Sequence, residues 1–539
     1  MMMLNAFGRD RSLGLAVASV RDYREAARRR LPRQMFDYID GGAYEEATLA
    51  ANTADLEAIS LRQRVMRDVS NRSMGTTVLG ERLELPVILA PVGLAGMFAA
   101  RAEVQAARAA ERAGVSFVES TVSICSVEEV AQATERPPWF QLYVMRDRSY
   151  AEALMARAQA VGCRVLVLTA DLAVVGARYR DTRNGLGGDI SALGKAVRGI
   201  DRVRHLRWVR DVGLGGRPHT FGNLTDAVPG ATSPDDFRTW VDAQFDPSVT
   251  WGDLAWGRAH WDGPIVLKGI LDPEDARAAA DAGVEAVVVS NHGGRQLDAV
   301  PSTAAALPAV VEAVGDRVEV LVDGGVRSGL DVLKMMSLGA RACLVGRPWA
   351  WAVAVDGEAG VTHLLEILRD ELAVAMGLTG TDDVAKLREQ LQSRAREQAL
   401  AELYARAGTD RSLVQQSVRL QPEGEDFQPA VDAEGDQVNG RLTIMARAVV
   451  FANTDFNGLV QKTFLAMAGD RFELPISQLS VGTPEVLGVD DTKVRIKTKS
   501  SAGLVRRVNG EELVEQLRWK SPTEARAILS RVEGLEGAP

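Results

Sequence analysis

The run AVVVSNHGGRQLD, residues 286 to 298, is where an architecture first becomes legible. Ala286 to Val289 is apolar without alternation, as expected of a parallel strand covered on both faces, and it ends abruptly in glycine and polar residues. In a barrel of parallel strands, the loop at such an end carries the chemistry. His292 can take up a proton near neutral pH, and Arg295 presents a planar guanidinium that suits a carboxylate. Together they suggest a base beside an anionic substrate. A loop histidine that only hydrogen-bonds is the plainer reading, and the rest of the chain decides between the two.

Outward from this run, apolar stretches alternate with helical patterns, the mark of α/β architecture. Eight are found: Pro86 to Ala90, Val115 to Val118, Trp139 to Tyr143, Val165 to Thr169, Pro264 to Lys268, Ala286 to Val289, Val318 to Val322 and Ala342 to Val345. Eight such units predict a (β/α)8 TIM barrel, with polar or special residues gathered at the strand tips. The tips read Pro91-Val92-Gly93, Ser120, Gln141 with Tyr143, Thr169 with Asp171, Lys268, His292 with Arg295, Asp323-Gly324-Gly325 and Gly346-Arg347. The last two follow the seventh and eighth strands, where barrels commonly hold phosphate; glycines there allow close backbone approach, and Arg327 and Arg347 balance charge. A DGG turn by itself is an ordinary tight turn, and its weight comes from this position.

SNHGGRQLD (Ser290 to Asp298) is joined by FDYIDGGA (Phe36 to Ala43), LAPVGLAGM (Leu89 to Met97), WFQLYV (Trp139 to Val144), GARYRD (Gly176 to Asp181), LKGILDPEDA (Leu267 to Ala276) and LVDGGVRSGLDV (Leu321 to Val332). In this order the motifs resemble the FMN-dependent α-hydroxy-acid oxidising family from about Asp22 to about Gly380, and the overall match is nearest to its respiratory L-lactate dehydrogenase branch. The resemblance implies an FMN whose ring meets the backbone of Pro91, Val92 and Gly93 and the side chains of Ser120, Gln141 and Thr169. It places Lys268 at flavin N1 and O2, and the phosphate at Asp323, Gly324, Gly325, Arg327, Gly346 and Arg347. It makes Arg178 and Arg295 the carboxylate clamp, Tyr38 and Tyr143 the substrate tyrosines, His292 the base and Asp171 the carboxylate that orients it. The implied reaction is oxidation of L-lactate to pyruvate, with a hydride or an electron pair passing to flavin N5 and on to a respiratory quinone or another acceptor. Glycolate- or mandelate-type oxidation is the alternative. A non-catalytic scaffold retaining the barrel is the reading from another class, and the complete residue set stands against it. Two positions depart from the pattern. Ala173 stands where proline is usual, and Glu119 stands beside Ser120 where an apolar residue is usual, so an inward Glu119 would oppose an anionic flavin.

The composition agrees with a cytoplasmic enzyme. A net charge of −9 over 539 residues argues against nucleic-acid binding, and Cys125, Cys163 and Cys343 have neither metal-ligand nor disulfide spacing. No metal is expected, and a homo-oligomer is. Leu13 to Val20 follows Arg9 and Arg11 but is too short for a secretory leader, and no apolar run reaches the roughly 18 residues of a membrane span.

Between Arg183 and Pro247 the fourth loop is long and locally basic. Lys195, Arg198, Arg202, Arg204, Arg207 and Arg210 face only Asp201, while Leu193, Val197, Ile200 and Val203 share one helical side and Trp208 follows. At roughly 1 kcal/mol per basic residue, segment 193–210 could hold the protein on the anionic inner face of the membrane. A solvated lid over the site is the competing reading.

The expected division is a barrel domain at 15–385, a helical segment and acidic linker at 386–440, and a small α+β module at 441–539. Asp382 to Ala407 reads as helix and Gln421 to Val438 as solvated acidic linker. Leu442 to Phe451 reads as a strand, Phe456 to Met467 as a helix, Lys493 to Thr498 as a strand, and Ser521-Pro522-Thr523-Glu524 as a capped helix start. The tail holds no histidine or cysteine. That favours an interaction or assembly role, with a partner the residues do not specify.

Overall fold

The computed structural model describes residues 9–10, 15–186, 191–230, 240–241, 243–314, 317–387, 411–413, 419–426, 441–447, 450–468, 472–473, 479–481, 485–489, 494–497, 499–502, 505–506 and 509–531. By compactness the chain divides into one unit of residues 1–392 with 425–441 and another of 393–424 with 442–539.

In the first unit eight parallel strands close on themselves: β1 Val87–Leu89, β2 Ser116–Ser120, β3 Trp139–Tyr143, β4 Leu166–Thr169, β5 Ile265–Ile270, β6 Ala286–Val289, β7 Glu319–Val322 and β8 Cys343–Val345. Each falls within two residues of an apolar run read from the sequence. Between consecutive strands lie Ala102–Ala113, Val127–Gln132, Arg148–Ala160, Asp253–Ala259, Pro273–Asp281, Thr303–Val314 and Gly329–Ser337, and Arg347–Thr379 follows β8 with a break at Asp356 and Gly357. Local chemistry sets these helix starts. Asp272, for example, caps the Glu274 N–H ahead of Pro273, and Ser328 caps that of Asp331.

Alternate residues of each strand fill the barrel or meet the helices. Ile88, Val118, Val167, Val266, Val288 and Leu321 pack together in the interior, while Leu89, Phe117, Leu168, Val289 and Val322 join the layer shared with the helices. A hairpin of Thr76–Val78 and Glu81–Leu83 closes the N-terminal end; its Glu81 carboxylate accepts from Ser116 Oγ and Trp139 Nε1 at the starts of β2 and β3. On β5 the register with β6 skips Gly269, which bulges at φ +115°. A Cβ there would lie 2.7 Å from Asp171, so this glycine makes room for a carboxylate at the mouth.

Glu119 answers the question its position raised. It points into neither the barrel nor solvent: it is 0% exposed, facing the helix layer alongside Phe117, and among the described residues neither carboxyl oxygen has a hydrogen-bond partner. Burial, reinforced by nearby Glu103, raises its pKa well above the carboxylate range. The shift favours the protonated form, which would put no charge against a flavin.

Within the second unit, Arg411–Leu413 pairs with Val450–Ala452, Glu485–Val489 with Val494–Lys497 and Leu479–Val481 with Ser500–Ala502, all antiparallel, and Asn453–Ala468 is a helix. Ser521 and Glu524 form the expected capping box at the start of Pro522–Leu529. The strand read as Leu442 to Phe451 is two strands, Arg441–Arg447 and Val450–Ala452. Arg419–Asp426 is also a strand, so the acidic stretch is not solvated linker from its first residue; charge reports on side-chain solvation and leaves backbone pairing undetermined. Residues 427–438 of that stretch and 388–407 of the expected helix lie outside the described residues, as do 11–14 near the N-terminus.

Candidate active site

At the C-terminal mouth of the barrel the strand tips surround a cavity of about 530 Å³. The cavity wall includes Tyr38, Pro91, Val92, Gly93, Gln141, Tyr143, Thr169, Arg178, Lys268, His292 and Arg295, and it continues through Asp323, Gly324, Gly325, Arg327, Gly346 and Arg347. The long fourth loop adds Phe221, Val241 and Phe245, three apolar walls that strand-tip reasoning could not anticipate. Two expected residues stand behind the wall. Ser120 donates to Gln141 Oε1 at 3.2 Å, and Gln141 Nε2 donates to Thr169 Oγ1 at 2.9 Å, so Ser120 fixes the amide that faces the cavity. Asp171 is the other, and it holds the histidine.

His292 Nδ1 and Asp171 Oδ1 are 2.9 Å apart, and the His292 N–H donates to Ser290 Oγ at 3.0 Å. Burial lowers the imidazole pKa below its ordinary value, partly offset by Asp171, so the ring is neutral near pH 7. Burial acts in the opposite sense on Asp171, but His292 and Lys268 outweigh it and hold the carboxyl below the usual range. With Asp171 accepting at Nδ1, the tautomer leaves Nε2 as the acceptor. This is a base with its proton-receiving nitrogen still available.

Arg178 and Arg295 converge at the same mouth. Arg178 Nε donates to the Arg295 carbonyl at 3.5 Å and Nη1 lies 3.9 Å from Asp181 Oδ2, while Arg295 donates to the carbonyls of Tyr38 and Gly41 and lies 4.8 Å over the Tyr38 ring. Burial and the neighbouring Arg178 push the Arg295 pKa down to about 10. Two guanidiniums held together call for an anion. Tyr143 stacks edge-on against Phe245, and burial, with Tyr38 and Asp171 nearby, raises its pKa, so the phenol keeps its proton and can donate.

Lys268 donates to Ser290 Oγ at 2.9 Å and pairs with Asp323 Oδ2 at 3.0 Å. Asp323 therefore pairs with this lysine through Oδ2, while its Oδ1, at the cavity wall, has no hydrogen-bond partner among the described residues. Burial would lower the lysine pKa, but Asp323 and Asp171 raise it above its ordinary value and keep it cationic. Ser290 touches both Lys268 and the histidine backbone, a link that a motif match alone does not reveal.

The residues expected around an FMN phosphate fit that group. Arg327 Nη1 donates to the Val326 carbonyl at 2.8 Å, and its guanidinium lies 5.2 Å over Trp351; Arg347 donates to the carbonyls of Ile39 and Gly41 at 2.9 and 2.7 Å. Neither guanidinium forms an ion pair among the described residues, and burial lowers both pKa values, that of Arg327 to about 10. Half-buried cations facing a cavity favour a counter-anion there. Among the described residues no group of His, Cys, Asp and Glu is arranged for a metal ion, and no helix is long and apolar enough to cross a membrane.

The description FMN-dependent dehydrogenase belongs to the family model that matches residues 27–394. The L-lactate dehydrogenase of Caulobacter vibrioides is 55% identical over 394 residues, 73% of this chain and 100% of that one. That of Chromohalobacter salexigens is 52% identical over 373 residues, 69% of this chain and 94% of the relative. Among solved structures, the monotopic membrane protein (S)-mandelate dehydrogenase superposes with a TM-score of 0.65 at 34% identity, covering 69% of this chain and 97% of its own. A mandelate oxidase bound to (S)-4-hydroxymandelic acid superposes at 0.60 with 40% identity, covering 69% and 98%. The matched span contains all eight strands and every side chain of the mouth, and this chain belongs to the FMN-dependent dehydrogenase family.

Proposed function

We propose that the protein oxidises L-lactate to pyruvate with FMN as its cofactor. The observation that carries this reading is an imidazole hydrogen-bonded to Asp171 in one cavity with two converging arginines, in a chain 55% identical to a named L-lactate dehydrogenase. Arg178 and Arg295 bind the substrate carboxylate, and Tyr143 donates to the same ligand. His292 Nε2 takes the proton from the hydroxyl or the α-carbon, and Asp171 stabilises the resulting imidazolium. Bound FMN supplies the two-electron acceptor for the α-carbon. Gln141, Thr169 and the backbone at residues 91–93 would hold its ring, Lys268 would supply a positive charge beside it, and Arg327 and Arg347 would hold its phosphate.

Purified protein should be yellow, release FMN on denaturation, and bleach anaerobically with L-lactate faster than with glycolate or mandelate. Colourless folded protein that FMN does not reconstitute would sink the cofactor assignment; faster bleaching by mandelate would move the substrate. Repeating turnover with a quinone analogue and then with oxygen alone identifies the acceptor. We favour the quinone, because Val174, Val175 and Leu297 expose an apolar rim on the loops of the mouth.

The same proposal places the enzyme peripherally on the inner face of the membrane. Helix Ala192–Arg204 buries no residue and leaves its apolar stripe open: Leu193, Val197, Ile200 and Val203 are 75, 59, 56 and 65% exposed, while Arg198 is half-buried and donates to the Gly185 carbonyl. A helix that is only a solvated cover would put its charged side outward. Exposed Lys195, Arg204 and Arg207 flank the apolar stripe. Vesicles containing phosphatidylglycerol should sediment the wild type at low salt, and Ile200→Asp should abolish this without loss of turnover. Unchanged sedimentation, or a raised KM with no vesicle binding by either protein, would favour the lid. A homo-oligomer, a barrel domain at 15–385 and an assembly role for the tail complete the proposal.

A further inference from the structure

Helix Ala47–Ala58 places one polar side chain between the histidine loop and the glycine turn after β7. Asn52 is 1% exposed and Asn291 is 5% exposed. Their carboxamides meet head to head: Asn52 Nδ2 donates to Asn291 Oδ1 at 2.9 Å, and Asn291 Nδ2 donates to Asn52 Oδ1 at 2.8 Å. The remaining capacity is used locally. Asn291 Nδ2 also reaches the Pro301 carbonyl at 3.1 Å, Asn291 Oδ1 accepts from the Gly294 N–H at 3.0 Å, and Asn52 Oδ1 accepts from the Thr303 N–H at 3.2 Å. The residue after Asn291 is His292, at φ +56°, in the left-handed region that a residue with a side chain seldom adopts. Such a conformation persists only where its surroundings over-determine it. The paired amides are those surroundings on one side. On the other, the Asn52 carbonyl lies so close to Gly325 that a Cβ there would come within 1.9 Å, and Thr303 Oγ1 reaches the Gly324 carbonyl at 3.4 Å.

We propose that Asn52, outside every motif of the mouth, is a positioning residue for the reaction: through Asn291 it holds His292 in the left-handed backbone that sets Nδ1 on Asp171 and leaves Nε2 to the cavity. It also ties that loop to the glycine turn after β7, so base and cofactor share one fixed reference. The inference rests on the hydroxy-acid reading, because only a reaction needing His292 as base makes its placement matter. A purely structural amide pair would change stability and leave the chemistry of the folded enzyme alone.

Two variants in the full chain separate these roles. Asn52→Leu removes both halves of the amide pair at similar volume; Asn52→Asp keeps the acceptor for Asn291 and Thr303 but sets a carboxyl oxygen against Asn291 Oδ1 in place of the donor. Each is loaded with FMN, titrated with oxalate as a probe of the arginine pair, and bleached anaerobically with L-lactate and with its α-deuterated form. The expected result is unchanged FMN content and oxalate affinity, a limiting bleaching rate lower by about 10- to 100-fold, as misplacement of a reacting group produces, and a larger deuterium effect. Should Asn52→Leu not fold, Asn52→Asp carries the same readouts. A wild-type bleaching rate in either FMN-loaded variant, or a loss that follows FMN content alone, overturns the proposal. Wild-type flavin that neither lactate, glycolate nor mandelate bleaches overturns both this inference and the reading beneath it, whereas bleaching of wild type and variants alike overturns this inference only.

Discussion

His292→Gln is expected to keep its FMN and to reduce it with L-lactate about 10²- to 10⁴-fold more slowly than wild type, the range a positioned general base supplies. Glutamine can still donate to Asp171, which sits 2.9 Å from the imidazole, so the mouth need not rearrange. What it cannot do is accept a proton at the position of Nε2. Stopped-flow bleaching is the measurement; a near wild-type rate would show that the base lies elsewhere. The wild-type pH profile checks the same assignment. A base works deprotonated, and burial holds this imidazole below its ordinary 6.5, so kcat/KM should be level above that value and fall as pH drops through the lowered pKa. An acidic limb centred above 6.5 would contradict the burial seen around the ring.

Lys268→Met should damage both stability and chemistry. It strips the partner from Asp323, whose Oδ1 already lacks a hydrogen bond among the described residues, and a buried charge left alone typically costs about 3–5 kcal/mol. Thermal unfolding should fall by several degrees and FMN should be held more weakly. The double variant Lys268→Met/Asp323→Asn separates the two effects. Removing the stranded charge should restore most of the stability, while flavin reduction stays slow because no cation remains beside the ring. Recovery of turnover in the double variant would show that Lys268 serves the fold alone.

The barrel was legible because its signals are local. A strand covered on both faces must be apolar throughout, so β3 and β6 coincide with runs read directly from the residues, and the other six differ by at most two positions at an end. The histidine, lysine and arginines of the mouth were legible for a related reason: a strand tip in a closed barrel has one direction to face. The exposure of the apolar stripe on the fourth-loop helix was not legible, because amphipathicity fixes which residues share a side and leaves open which side meets the protein.

Sequence by itself therefore determined the strand order, the end of the barrel that carries chemistry, the side chains gathered there and the family to which they belong, since all of these follow from periodicity and motif along the chain. Tertiary structure alone decided the pairings. Asp323 pairs with Lys268, Ser120 stands behind Gln141, Glu119 is buried with its pKa raised, and Asn52 reaches across 239 positions to the residue beside the base. Hydrogen bonds and desolvation depend on distance in space, and only closure of the barrel brings these groups within the few ångströms over which such forces act.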